Sequence, residues 1–178
     1  MKNSIPDQVI GVPISFARGV CEHVKLGPKI SETVKGKLSL GARIVQGGGV
    51  QGVFRHLFSV EEGEKLLKAS QCYLYTTAGP IAGLLFISTE KIAFCSERSL
   101  RFSSSSSSGE IVRVPYKVSI PLRKIKRATQ SENTKNPKEK YVEIVTKDNF
   151  DFWFMGFVNY QKAFKHLQQA ISLSSTRC

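Results

Sequence analysis

Long hydrophobic runs are missing from these 178 residues: the longest, Ile81 to Ile87, is far below the roughly 20 residues a membrane-spanning helix needs. Met1 to Gln8 is polar and offers no apolar core for a secretory leader. Any membrane association is therefore expected to be peripheral. Cysteine is sparse, and Cys21, Cys72, Cys95 and Cys178 stand far apart with no C-x-x-C pair and no nearby histidine cluster. That spacing speaks against zinc and against a dense disulfide framework, and fits free thiols in a reducing, intracellular compartment. The C-terminal Ser175-Thr176-Arg177-Cys178 places its cysteine last, so it is no prenylation signal.

Catalytic patterns are equally thin. His23, His56 and His166 fall in separate stretches, none beside a nucleophile motif such as G-x-S-x-G. Gly47-Gly48-Gly49-Val50-Gln51-Gly52 spells G-x-G-x-x-G, but no strand precedes it and no βαβ unit surrounds it, so a hinge is the better reading. The expectation is a protein that is not an enzyme and needs no metal or other cofactor.

Negative charge is the other shortage. Only 14 Asp and Glu face 26 Lys and Arg, leaving a formal charge of +12, which points to anionic partners. The excess is concentrated. Arg113, Lys117, Arg123, Lys124, Lys126, Arg127, Lys135, Lys138 and Lys140 crowd one stretch opposed only by Glu132 and Glu139. Clustered Lys and Arg reward phosphate with charge-assisted hydrogen bonds. Arg113, Lys117, Arg123, Lys124, Lys126 and Arg127 are thus the candidate lipid or anion-binding residues. A nucleic-acid surface would also want stacking aromatics among the charges, and only Tyr116 and Tyr141 are near.

Periodicity divides the chain. Residues 1–26 hold Pro6, Gly11, Pro13 and Gly19 with no sustained pattern and read as a loose arm. From Pro28, Ile30, Val34, Leu38, Ile44 and Val45 recur at helical spacing, and Val53, Phe54, Leu57 and Phe58 form one face of a short helix. Residues 27–58 are therefore expected as a helical extension. Ser59-Val60-Glu61-Glu62 has the form of a capping box.

Strand patterns follow. Leu66 to Thr76, Ile81 to Ser88 and Lys91 to Ser96 are apolar runs separated by Thr77-Ala78-Gly79-Pro80 and Thr89-Glu90. Val112, Val114, Tyr116, Val118 and Ile120 alternate with Arg113, Pro115, Lys117 and Ser119, predicting a strand with one buried and one basic, wet face. Pro115 cannot donate to a ladder, so that strand belongs at an edge or a bulge. Arg123 to Ser131, Lys140 to Thr146 and Asn149 to Met155 complete the series, with a turn at Lys147-Asp148. Ser103 to Ser108, six serines ending at Gly109, read as a flexible loop and a possible phosphorylation target. Finally Tyr160, Ala163, Phe164, Leu167, Ala170 and Ile171 trace one helix face, with Asn159 as N-cap.

The expected fold is mainly β with α: about seven antiparallel strands closed by a C-terminal amphipathic helix, spanning 59–173, with a tail at 174–178.

Five segments carry a family resemblance: Cys72-Tyr73-Leu74, Gly79 to Ser88, Lys91 to Ser96, Tyr116-Lys117-Val118-Ser119-Ile120-Pro121-Leu122, and Phe152-Trp153-Phe154-Met155-Gly156-Phe157. In this order they resemble the plant GRAM-domain, abscisic-acid-responsive family, also called GEM-like proteins, over about residues 28–173. The resemblance implies a pleckstrin-homology-like GRAM sandwich and a plant protein of hormone, stress or developmental responses. It also implies a non-catalytic adaptor, cytoplasmic, peripheral on membranes or nuclear. Its expected ligands are anionic membrane lipids such as phosphoinositides; the alternative is a protein-interaction module holding a regulatory partner through residues 28–58. Pleckstrin-homology phosphoinositide sites usually carry [K/R]-x-R beside the first hairpin loop. No arginine here has Lys or Arg two residues before it, and Thr76 to Ile81 holds no cation, so the lipid reading rests on the 113–127 cluster alone.

Overall fold

The computed structural model describes residues 48–103, 111–133 and 137–176; side chains at 100–103 and 111–113 are not described. The expected arm at 1–26, the helix expected from Pro28, and most of the serine run lie outside those residues.

Seven strands, β1 (Leu66–Thr76), β2 (Gly79–Ser88), β3 (Lys91–Ser103), β4 (Ile111–Pro121), β5 (Ile125–Glu132), β6 (Lys140–Thr146) and β7 (Asp151–Met155), form one antiparallel sheet ordered β4-β3-β2-β1-β7-β6-β5. The β1–β7 seam is short, pairing only Tyr73 with Met155 and Leu74 with Phe154, whereas β1 and β2 pair along nearly their whole length. A four-stranded half and a three-stranded half thus fold over a common interior. All seven strands contribute to it, among them Leu74, Leu85, Phe94, Tyr116, Ile125, Ile144 and Phe154.

Among the described residues, two helices pack on this sheet. α1 (Gly49–Leu57) starts after Gly48, and the left-handed φ of 73° at Gly48 and 84° at Gly49 is cheap only for glycine. This glycine stretch therefore opens a packed helix. α2 (Tyr160–Ser175) is capped by Asn159, whose side chain accepts from the Lys162 amide at 3.1 Å, and it drives Ala163, Phe164, Leu167 and Ala170 into the interior. The closing helix expected from the 3.6-residue stripe is present with its expected cap.

Three expectations need adjusting. Ser59-Val60-Glu61-Glu62 caps no helix, because Gly63 adopts a φ of 79° and turns the chain directly into β1. Glu64, rather than Glu62, makes the reciprocal contact, accepting from the Glu61 amide at 2.9 Å. β3 runs past Ser96 to Ser103, since an irregularity between Cys95 and Ser99 lets pairing with β4 resume. The strand expected from Arg123 begins at Ile125, because Leu122–Lys124 forms a 3-10 turn. Pro115 does lie on an edge strand.

β2 is buried on both faces, which explains its unbroken apolar run. Its inner side chains join the interior, and its outer Leu84 and Phe86 pack with Val53 and Phe54 of α1. Phe54 lies 5.3 Å from Phe86 between ring centroids and 5.9 Å from Phe58, an aromatic cluster that fixes α1 to the sheet.

A candidate anion-binding surface

The candidate cations are sorted by local backbone geometry. Pro121 ends β4 with a φ of -58°, and the following 3-10 turn buries Leu122 and, just beyond it, Ile125. With those two apolar anchors pointing in, Arg123 and Lys124 are left pointing out, both exposed. The β5–β6 register then slips between Ile125 and Arg127, so Lys126 is an extra residue and strict alternation is broken. Lys126 and Arg127 are consecutively exposed as a result.

A backbone contact extends this corner. The Lys147 amide donates to the Lys124 carbonyl at 2.8 Å, tying the β6–β7 turn to the 3-10 turn and bringing an exposed lysine alongside. Asp148 is the acidic neighbour. Its carboxyl is held below the usual carboxylate value, chiefly by a hydrogen bond from the Thr146 side chain, with the Lys124 charge a lesser contributor. Arg123, Lys124 and Lys126 make no ion pair with any described residue.

The other three candidates are placed differently. Arg127 Nη2 lies 3.4 Å from both carboxylate oxygens of Glu143, which also accepts from Thr129 Oγ1 at 2.7 Å, so its charge leans away from the corner. Lys117 is not on a wet face. Its Nζ donates to the Leu57 carbonyl at 2.9 Å, capping the C-terminal end of α1, and sits 5.8 Å from the Phe58 ring centroid. Arg113 lies at the far end of β4, opposite Arg101 in β3, and eight residues of extended chain put it about 26 Å from Pro121. Six residues close in sequence thus resolve into three places.

Sequence reasoning missed Lys147 as a member, although its turn was legible, because only the tertiary contact to Lys124 joins the two segments. It also missed the buried Glu64. Glu64 accepts from Ser88 Oγ at 2.5 Å and pairs with Lys91 Nζ at 3.1 Å, while Lys91 also donates to the Ser59 carbonyl. This network fixes the loop after α1. The only sequence signal was a glutamate immediately before a strand, which is too common to read.

The remaining ionisable groups are scattered. Cys72 and Cys95 are buried thiols in separate clusters, and burial pushes the Cys72 thiol far above its ordinary value. His166 Nδ1 lies 2.7 Å from the Lys162 carbonyl within its own helix. Among the described residues no group of three His, Cys, Asp or Glu could hold a metal ion, and no helix is long and apolar enough to cross a membrane. The turn between β1 and β2, Thr77-Ala78, has no cation.

Comparison with known proteins gives a consistent answer. Residues 52–175 match the GRAM domain. Two Arabidopsis thaliana proteins are each 64% identical to this chain: GEM-like protein 4 over 159 residues (89% of this chain, 71% of that protein) and putative GEM-like protein 8 over 160 residues (90% and 72%). GEM-like protein 1 of the same plant is 37% identical over 150 residues, 84% of this chain and 57% of that protein. Among solved structures, the C-terminal domain of an unknown protein from Leishmania infantum aligns with a TM-score of 0.52 at 23% identity, covering 69% of this chain and 98% of that one. The last likeness concerns the fold alone.

Proposed function

Because this chain belongs to the GRAM-domain family of GEM-like proteins, a non-catalytic domain family, we propose that it is a peripheral binder of anionic, phosphate-bearing membrane lipids. Arg123, Lys124 and Lys126 are the binding residues of this reading, with Lys147 beside them. The observation that carries it is their exposure, with no ion pair to a described residue, at a corner built by a 3-10 turn and a bulge. Such cations contribute about 1 kcal/mol each near an anionic leaflet, so four supply about 4 kcal/mol, a weak and salt-sensitive attachment. Phosphoinositides, with several phosphates per headgroup, suit clustered lysine and arginine better than singly charged lipids do. A place in plant hormone or stress response is the physiological setting that the family resemblance suggests for such an adaptor.

Vesicle co-sedimentation tests this at low ionic strength, comparing phosphatidylcholine vesicles with the same vesicles carrying a phosphoinositide. Binding is expected only to the second and is expected to fade as salt rises. Equal sedimentation with both kinds, or with neither, would contradict it.

The alternative is a protein-interaction module using residues 28–58. Within that range the apolar face of α1 is already packed on the sheet through Val53 and Phe54, leaving Gln51, Arg55 and His56 exposed for a partner. A partner meeting α1 would therefore contact a polar, basic face.

A further inference from the structure

The sheet has two outer edges, and they are guarded differently. The order β4-β3-β2-β1-β7-β6-β5 leaves β4 and β5 each paired on one side only. An open edge invites another strand, and sheets blunt their edges with proline, lysine or a bulge. β4 carries Pro115, which has no donor, beside an irregularity between Cys95 and Ser99. β5 keeps its bulge and its cations, Lys126 and Arg127, at its start, and the run Ala128-Thr129-Gln130-Ser131-Glu132 holds no proline, lysine or glycine.

Two hydrogen bonds fix which backbone groups of that run face outward. The Asn133 amide donates to the Glu139 carbonyl at 3.0 Å, and antiparallel bonding alternates back along the ladder, so Ser131 and Thr129 exchange bonds with Tyr141 and Glu143. On the other side of β6 the Thr146 amide donates to the Phe150 carbonyl at 2.8 Å, which commits Ile144 and Val142 to β7 and agrees with that alternation. Ala128, Gln130 and Glu132 therefore turn N–H and C=O away from β6, and no described residue bonds to those groups. Gln130 and Glu132 are exposed, and Ala128 is half-buried.

We propose that the outer edge of β5 from Ala128 to Glu132 is a docking site for an extended segment of a partner protein, which joins the sheet as a further strand and carries acidic residues at its end beside Lys126. The outward groups of alternate residues supply the pairing. Charge selects the occupant. Arg123, Lys124 and Lys126 are exposed around the start of β5 and make no ion pair with any described residue, so they match acidic side chains. A second copy of this chain would bring its own net charge of +12 to the same edge. Side chains of an added strand alternate, and one set falls on the inner side, where Ala128 and, on the neighbouring α2, Ile171 lie half-buried against the interior. The edge does not depend on lipid binding, although an acidic segment and an anionic headgroup would compete for the same cations.

A phage-displayed library of random peptides, panned on the full chain, tests the edge. Enriched peptides should join a run of β-branched residues to acidic ones. Each, made synthetically, should slow amide exchange of Ala128, Gln130 and Glu132 about tenfold or more, while Thr129 and Ser131, already bonded to β6, change little. Gln130→Pro removes one outward donor without touching the β6 ladder and should weaken the peptide about tenfold or more, whereas Gln130→Ala keeps the donor and should retain it. If Gln130→Pro does not fold, the alternating exchange pattern in the unaltered chain still decides. No enrichment, binding that leaves the three amides unchanged, or full binding by folded Gln130→Pro would overturn the proposal. So would slowing of those amides on raising protein concentration without peptide, since that puts a second copy of the chain on the edge.

Discussion

Replacing Phe54 with Ala tests whether α1 belongs to the folding unit or merely rests on it. Phe54 is 1% exposed, pinned between Phe86 and Phe58, and nearly the whole side chain is removed from water by the sheet. A buried phenylalanine hides about 200 Å², and about 25 cal/mol per Å² gives an upper bound of about 5 kcal/mol. Phe-to-Ala substitutions in cores cost about 3–5 kcal/mol. The lower part of that range is expected here, because α1 is short and can settle onto the gap. Urea unfolding followed by Trp153 fluorescence would measure it, Trp153 being remote enough from α1 to report the sheet. A loss below about 1 kcal/mol with an unchanged slope would refute the reasoning, since α1 would then contribute little to the cooperative unit.

Three further substitutions probe other parts of the fold. Gly83→Ala should lower Tm sharply, because a Cβ at that position would strike the Cys95 carbonyl and come within 2.5 Å of Phe94 Cζ; overpacking of this kind costs about 1–3 kcal/mol or more, and a thermal melt reads it. Asp151→Asn should stabilise the protein at neutral pH. Burial, then the Glu143 charge, raises the Asp151 pKa above its ordinary 3.8, with Arg127 opposing. The folded state therefore holds this proton more tightly than the unfolded chain, and this group's contribution to stability falls as pH rises from 3.8 through the raised folded value. The variant should lose that fall in a pH series of melts. Lys117→Met should shorten the life of the α1 contact, costing about 0.5–1.5 kcal/mol in urea unfolding, yet leave vesicle binding intact, because Lys117 Nζ is spent on Leu57.

Elements whose side chains obey one period were legible in the sequence. β4 alternates cleanly around Tyr116, Val118 and Ile120, and α2 shows its stripe and its Asn159 cap, so both were read without tertiary information. β2 was read from its unbroken apolar run, the signature of a strand covered on both sides. The candidate site was legible only in composition. Its geometry depends on two local breaks in periodicity, the 3-10 turn at Leu122–Lys124 and the extra residue at Lys126, and each reverses the face assigned by simple alternation. Lys117 shows the opposite failure. Its strand and its face were read correctly, but the helix end that occupies that face came from 60 residues earlier in the chain, and no local pattern could supply it.

Charge reversal at two places compares the corner with the rest of the basic surface. Lys124→Glu/Lys126→Glu should abolish binding to phosphoinositide vesicles, whereas Arg98→Glu/Lys138→Glu, which reverses the same number of charges at two other exposed positions, should leave most of it. Equal loss from both would mean that binding follows net charge, and retention by Lys124→Glu/Lys126→Glu would mean that the corner is not the lipid site.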